Sequence, residues 1–220
     1  MALALSNVTS GFTSGSGSPT SFTSASISPS VGDLLILSVN SGHANVGNPQ
    51  KGNPPNISGA GLVWNQLWTR EYNGGWTRRL SVYWAIADAS ATSGAITIDC
   101  QVGQAGGCSW VIDKVTGYDT ASAIAWCVQV ATNSQVVTAG TTGMTATLGT
   151  LQDTSSVAYG VMAVDGGTTA SLNPGSGFTQ LAEQNGNQII ASEYKVNDAS
   201  VAWSITSATI GWAALSIELT

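Results

Sequence analysis

One imidazole and three thiols, alongside twelve carboxylates, are the chain's obvious resources for acid–base, nucleophilic or metal chemistry. Serine-type catalysis wants a His near a hydroxyl and a carboxylate. The single His43 lies in a long aperiodic segment, "NSGHANVGNPQKGNPPNISGAG" (40–61), and no G-x-S-x-G elbow occurs. Glycoside hydrolysis needs two carboxylates facing each other across a cleft. Asp33, Asp88, Asp119, Asp165 and Asp198 sit in turn-like contexts, where Asp serves backbone hydrogen bonding. Glu71, Glu193 and Glu218 fall in strand-like runs with no evident partner. Cys100, Cys108 and Cys127 with one His are too scattered for a zinc site, and no calcium loop of the D-x-D-x-D-G kind is present. The three thiols read as free, buried small hydrophobes. The expectation is a non-enzyme with no catalytic residues, no metal and no cofactor.

What remains is recognition chemistry. Residues 61–90, "GLVWNQLWTREYNGGWTRRLSVYWAIADAS", hold four of the eight tryptophans and three of the six basic residues. At the tip "EYNGGWTRR", Tyr72 and Trp76 flank a two-glycine turn from which a ring can stand out and stack on a pyranose, with Arg78 and Arg79 beside it. The candidate partner or glycan contacts are therefore Tyr72, Trp76, Arg78, Arg79 and, from the long loop, His43. The two arginines, adjacent in an alternating strand, point to opposite faces. Trp64, Trp68, Trp84, Trp110 and Trp212 occupy regular strand positions and read as core; Trp64 and Trp68, four apart, should face one side.

These groups must be positioned by strands. Short runs rich in Val, Ile, Thr, Tyr and Trp alternate with Gly, Ser, Asn and Asp clusters, and no long amphipathic helix is legible. Strands are expected at 3–8, 20–27, 34–40, 62–72, 78–87, 95–100 and 109–117, then at 123–130, 145–149, 156–164, 178–184, 189–196, 201–206 and 211–219. Only 8% of residues are charged, whereas Ser and Thr number 52, so hydroxyls must solvate most of the surface. A net charge of −6 with six Lys and Arg excludes a phosphate-tracking nucleic-acid binder. No apolar run is long enough for a membrane-spanning helix. "MALALSNVTS" is too short for a signal peptide's apolar region. The Ser/Thr-rich opening, with 14 hydroxyl residues in positions 6–30, reads as an ordered edge strand, which a partner subunit would cover.

The two sets of strands echo each other in order. "LLILSVNSG" (34–42) aligns with "YGVMAVDGG" (159–167), and "GLVWNQLWTRE" (61–71) with "GSGFTQLAEQN" (175–185), placing Trp64 on Phe178 and Leu67 on Leu181. "LSVYWAIADAS" (80–90) aligns with "IASEYKVNDAS" (190–200), setting Tyr83 on Tyr194 and repeating Asp-Ala-Ser; "CSWVIDKVTG" (108–117) aligns with "IGWAALSIEL" (210–219), with Trp110 on Trp212. The offset shrinks from 125 to 114, about 110 and 102, as loops shorten between persistent strands. The reading is an all-β antiparallel sandwich of jelly-roll character, residues 1–220, with pseudo-repeat halves of about 1–120 and 121–220. The halves are expected to interleave in one sandwich.

The order "SPSVGDLLILSVNSG", "GLVWNQLW", "RRLSVYWAIA", "GAITIDC", "WVIDKVTGYD" and "WAALSIEL" resembles β-sandwich structural proteins of tailed-phage virions, of the capsid decoration (cement) or fibre type. The resemblance implies a virion location, assembly in the host cytoplasm, a homotrimer, the major capsid protein or another virion protein as partner, and no catalytic residues. The alternative is a glycan-binding or host-adhesion module of a tail or head fibre.

Overall fold

The computed structural model describes residues 3–43, 53–72, 77–104, 106–118, 130–135, 141–165, 171–186, 188–209 and 211–220. Described residues of the first half form β1 (Ala4–Thr13), β2 (Ser21–Thr23), β3 (Leu34–His43), β4 (Asn56–Gly59), β5 (Asn65–Tyr72), β6 (Thr77–Ile86), β7 (Ile96–Asp99) and β8 (Gly107–Thr116). Those of the second form β9 (Val130–Gln135), β10 (Thr141–Thr147), β11 (Val157–Val164), β12 (Leu172–Pro174), β13 (Thr179–Asn185), β14 (Ile189–Val196), β15 (Ser200–Thr209) and β16 (Trp212–Leu219). The architecture is all-β and antiparallel, several sheets packed face to face.

Each half contributes a five-stranded and a three-stranded sheet, ordered β1-β8-β3-β6-β5 with β2-β7-β4 in the first, and β9-β16-β11-β14-β13 with β10-β15-β12 in the second. Advancing every first-half strand by eight reproduces both second-half sheets. The registers agree at β3–β8 and β11–β16, where Val39 pairs with Trp110 and Val164 with Trp212, and at β5–β6 and β13–β14, where Asn65 pairs with Trp84 and Thr179 with Tyr194. Between β3–β6 and β11–β14 the register shifts by two residues, Leu34 pairing with Ile86 but Tyr159 with Tyr194. No named sheet mixes strands of the two halves. The expected interleaving into one sandwich is therefore corrected: two sandwiches are stacked.

The stacking follows from hydrophobic patterning. Leu35, Leu37, Val39, Tyr83, Trp110 and Ile112 face Phe22, Ile96 and Ile98 of the small sheet and close the first half's own core. Met162, Val164, Ile189 and Trp212 do the same against Met144, Val201 and Trp203 in the second. The opposite faces of both large sheets are also apolar, and Leu34, Ile36, Leu80, Val82 and Val111 meet Tyr159, Val161, Ile190, Leu215 and Ile217 in a central cluster. Strands covered on both faces read as continuous apolar runs. In β11 and β16 every residue is buried.

Two short strands, β4 and β12, were not expected. β4 is "NISG", with one large apolar residue, and β12 is "LNP", whose proline suits a sheet edge. They complete the small sheets, and without them each half looks too poor in strands to close a core. The expected strand at 123–130 meets the described residues only at Val130, where β9 begins; the rest of it lies outside them. The Ser/Thr-rich opening is ordered as expected, since β1 and β2 are both edge strands.

The two faces of the large sheets were misread at one point. A bulge between Gln66 and Trp68 puts Leu67 and Trp68 on the central cluster, whereas Trp64 packs on the first half's own core. Trp64 and Trp68 thus face opposite sides. The second half bulges at the equivalent place, between Gln180 and Ala182 around Leu181. Likewise Tyr194 matches Trp84, not Tyr83: both pack on the central cluster, while Tyr83 lies in the outer core.

Leu80 and its repeat counterpart Ile190 are both fully buried in the central cluster. Truncating either to alanine is expected to lower stability by about 2–5 kcal/mol, the two losses being similar. Urea denaturation midpoints measure this; a loss under about 1 kcal/mol at either site contradicts a packed interface there.

Candidate functional site

The structure separates the residues of the "EYNGGWTRR" tip. Tyr72 ends β5 with its ring 2% exposed and its hydroxyl donating to Asn40 Oδ1 at 2.7 Å. It cannot stack on an external sugar, and that expectation is corrected. Burial pushes its phenol well above the ordinary value, aided by the Asp165 charge. Arg78 is also buried; its Nε donates to Asp165 Oδ1 at 2.9 Å. With its oxygen toward Arg78, the Gln188 amide accepts from the same Nε at 3.0 Å. Arg79 points the other way, as alternation requires, donating to Thr69 Oγ1 at 2.9 Å and pairing with Glu71. Trp76 lies outside the described residues. His43 ends β3 opposite Thr77, and its side chain lies outside them too.

The partner that Tyr72 and Arg78 touch is the second half of their own chain. Asn40 Nδ2 donates to the Ile189 carbonyl at 2.8 Å, and Ser109 Oγ donates to the Gln188 carbonyl. Gln188 follows Arg78 by the 110-residue offset between β6 and β14, and Asp165 follows Asn40 by the 125-residue offset between β3 and β11. The polar cluster thus holds one charged pair, Arg78 with Asp165, beside the neutral amides of Asn40 and Gln188. Deeper in the interface, Tyr159 Oη donates to Asp113 Oδ2 at 2.8 Å and Asn7 Nδ2 to Oδ1 at 2.9 Å. Burial pushes the Asp113 carboxyl above the usual carboxylate range.

Other acids are structural in the manner their turn positions suggest. Asp88 Oδ1 accepts the Ser90 N–H at 2.8 Å, and Asp198 Oδ1 accepts the Ser200 N–H at 2.9 Å. The repeated Asp-Ala-Ser is thus one turn used twice. Among the described residues no three His, Cys, Asp or Glu side chains gather as a metal set. Cys100 and Cys108 are free and share the first half's core.

An open depression of about 470 Å³ lies on the first half, bounded by Asn56, Trp64, Gln66, Tyr83, Gln101 and the Pro54–Pro55 pair. Tyr83 Oη donates to the Pro55 carbonyl at 2.6 Å, tying the loop before β4 to β6. The residues that form it are far apart in sequence: Trp64 is expected there as core, Tyr83 as a repeat position and the prolines as part of the long loop, and no pattern joins them to Gln66 and Gln101. In the second half Glu193 stands where Tyr83 does. It accepts the Gly175 N–H at 3.0 Å, and burial pushes its carboxyl from 4.5 up to about 8. Phe178, the counterpart of Trp64, lies under the Lys195 ammonium, 5.3 Å from the ring centre.

No family model, no curated protein and no solved structure matches this chain.

Glu193 holds its proton more tightly in the folded protein than in the unfolded chain. The stability it contributes is full below about 4.5 and drains as pH rises to about 8. Glu193→Gln, which keeps an oxygen for Gly175, should match the native chain at pH 4 and grow progressively more stable than it up to pH 8, then hold a constant lead. Denaturation midpoints across pH 4–9 measure this; a gap independent of pH refutes it.

Proposed function

We propose that this protein is a non-enzymatic structural component of a tailed-phage virion, of the capsid decoration or cement type, binding the capsid surface as a homotrimer. On this reading the chain arose by duplication of a jelly-roll sandwich, with fusion of the copies through their large sheets. The agreement of strand order between the halves, and of register at β3–β8 and β11–β16, supports duplication.

The observation that carries the binding role is a set of exposed aliphatics. Val31, Val63, Ile86 and Val196 are 74%, 73%, 39% and 55% exposed. Pairing of Leu34 with Ile86 and of Asn65 with Trp84 brings Val31, Val63 and Ile86 to one end of the first large sheet. Val196, opposite Val157, ends β14 in the second half. Branched aliphatics left open on a surface poor in charge favour contact with another protein subunit. A stiff, hydroxyl-rich β stack also suits a particle component that must persist outside a cell.

Light scattering on the purified chain should give three times the monomer mass. The double variant Val63→Asp, Ile86→Asp should fall to monomer and lose capsid binding while its circular dichroism is unchanged. A native chain that is a monodisperse monomer and does not co-purify with capsid or tail assemblies overturns the reading.

A further inference from the structure

We infer that the depression beside Trp64 is a binding site for a neutral saccharide. The inference does not depend on the virion role, because it rests on the first half's own surface.

Its lining decides the ligand class. Asn56, Gln66 and Gln101 are exposed primary amides, each with donors and an acceptor, which suits hydroxyls that do both. Trp64 and the Pro54–Pro55 pair supply carbon surface for the C–H face of a pyranose. Trp64 Nε1 is sealed from solvent, so this side chain offers the depression ring carbon rather than its N–H. Among the described residues no Lys, Arg, Asp or Glu lines the depression, so they give an anionic ligand no counter-charge there. About 470 Å³ falls within the range of small-molecule sites and fits a short oligosaccharide.

The site is built before any ligand arrives. Asn56 is held on β4 by pairing with Asp99. Gln101 sits in a left-handed turn with φ 63°, its N–H donating to Asp99 Oδ1 at 2.9 Å. Gln66, the second residue of β5, lies opposite Tyr83, whose hydroxyl pins Pro55. Ordering entropy on binding is thereby kept small.

The second half is an internal control. The Trp64 position there is Phe178 under Lys195, and the Tyr83 position is Glu193, bonded to Gly175. Gln180, the counterpart of Gln66, spends its amide donor on the Leu172 carbonyl at 3.3 Å. The same place in the second half thus carries a charged and internally bonded set of side chains instead of free neutral amides.

The test is a printed panel of neutral hexose and N-acetylhexosamine trisaccharides with sialylated and sulfated counterparts, probed with the full chain. Calorimetric titration of the strongest neutral trisaccharide follows. Binding by at least one neutral trisaccharide is expected, weakened at least tenfold in Gln66→Ala and in Asn56→Ala, and unchanged in Gln180→Ala. Gln66 and Asn56 are exposed, so loss of the fold does not confuse the result. Retention of charged glycans alone, no retention at all, or equal affinities for Gln66→Ala and Gln180→Ala would overturn the inference.

Discussion

Two five-stranded sheets, each apolar on both faces, cannot stand alone in water, and everything else in this molecule follows from burying their second faces against each other. A β-sandwich ordinarily satisfies its strands by hiding one face and wetting the other. Here Leu34, Leu80, Val82 and Val111 on one sheet and Val161, Ile190, Leu215 and Ile217 on the other leave no wet face on the strands between them. A half separated from its twin would expose that surface at roughly 25 cal/mol for every Å². The small sheets seal the outer faces, and the result is four layers with three cores.

Apolar packing alone would allow one sheet to slide on the other. Polar groups inside the interface set the alignment, because a buried donor or acceptor without its partner costs about 1–3 kcal/mol. Asn40 bridges Tyr72 and the Ile189 carbonyl, Asp113 joins Asn7 to Tyr159, and Arg78 meets Asp165. On the outer face of β11 the second half's own small sheet comes close: a Cβ on Gly160 would lie 2.1 Å from Val201 Cγ1 and 2.5 Å from the Trp203 ring, so β11 admits no side chain there. The halves share a strand order but differ in these contacts: Arg78 and Asp165 carry the charge, and Gln188 and Asn40 are neutral.

The fold was largely legible in the sequence because β-strands advertise themselves by composition and by turns. The strand expected at 189–196 is β14 residue for residue, and the aligned pairs Trp64/Phe178, Leu67/Leu181 and Trp110/Trp212 occupy matching places. Three things were hidden. "NISG" and "LNP" are too short to signal, so the small sheets looked incomplete and the halves were expected to interleave. A one-residue bulge reverses facing without leaving a mark in the sequence, which misplaced Trp64 relative to Trp68. Tyr72 and Arg78, expected at an exposed partner or glycan contact, are buried against their own chain instead, because the strand ends that carry them close on the central interface. The depression escaped notice because Pro55, Gln66, Tyr83 and Gln101 converge only through sheet pairing.

The account stands on the two halves forming one cooperative body through the central interface. Native-state hydrogen exchange measures this directly. The amides of β3 and β11, the middle strands of the two large sheets, should share the slowest exchange and the same opening free energy, close to that of global unfolding. If β11 exchanges through a much cheaper opening while β3 stays protected, the halves unfold independently and the central interface does not hold the molecule together.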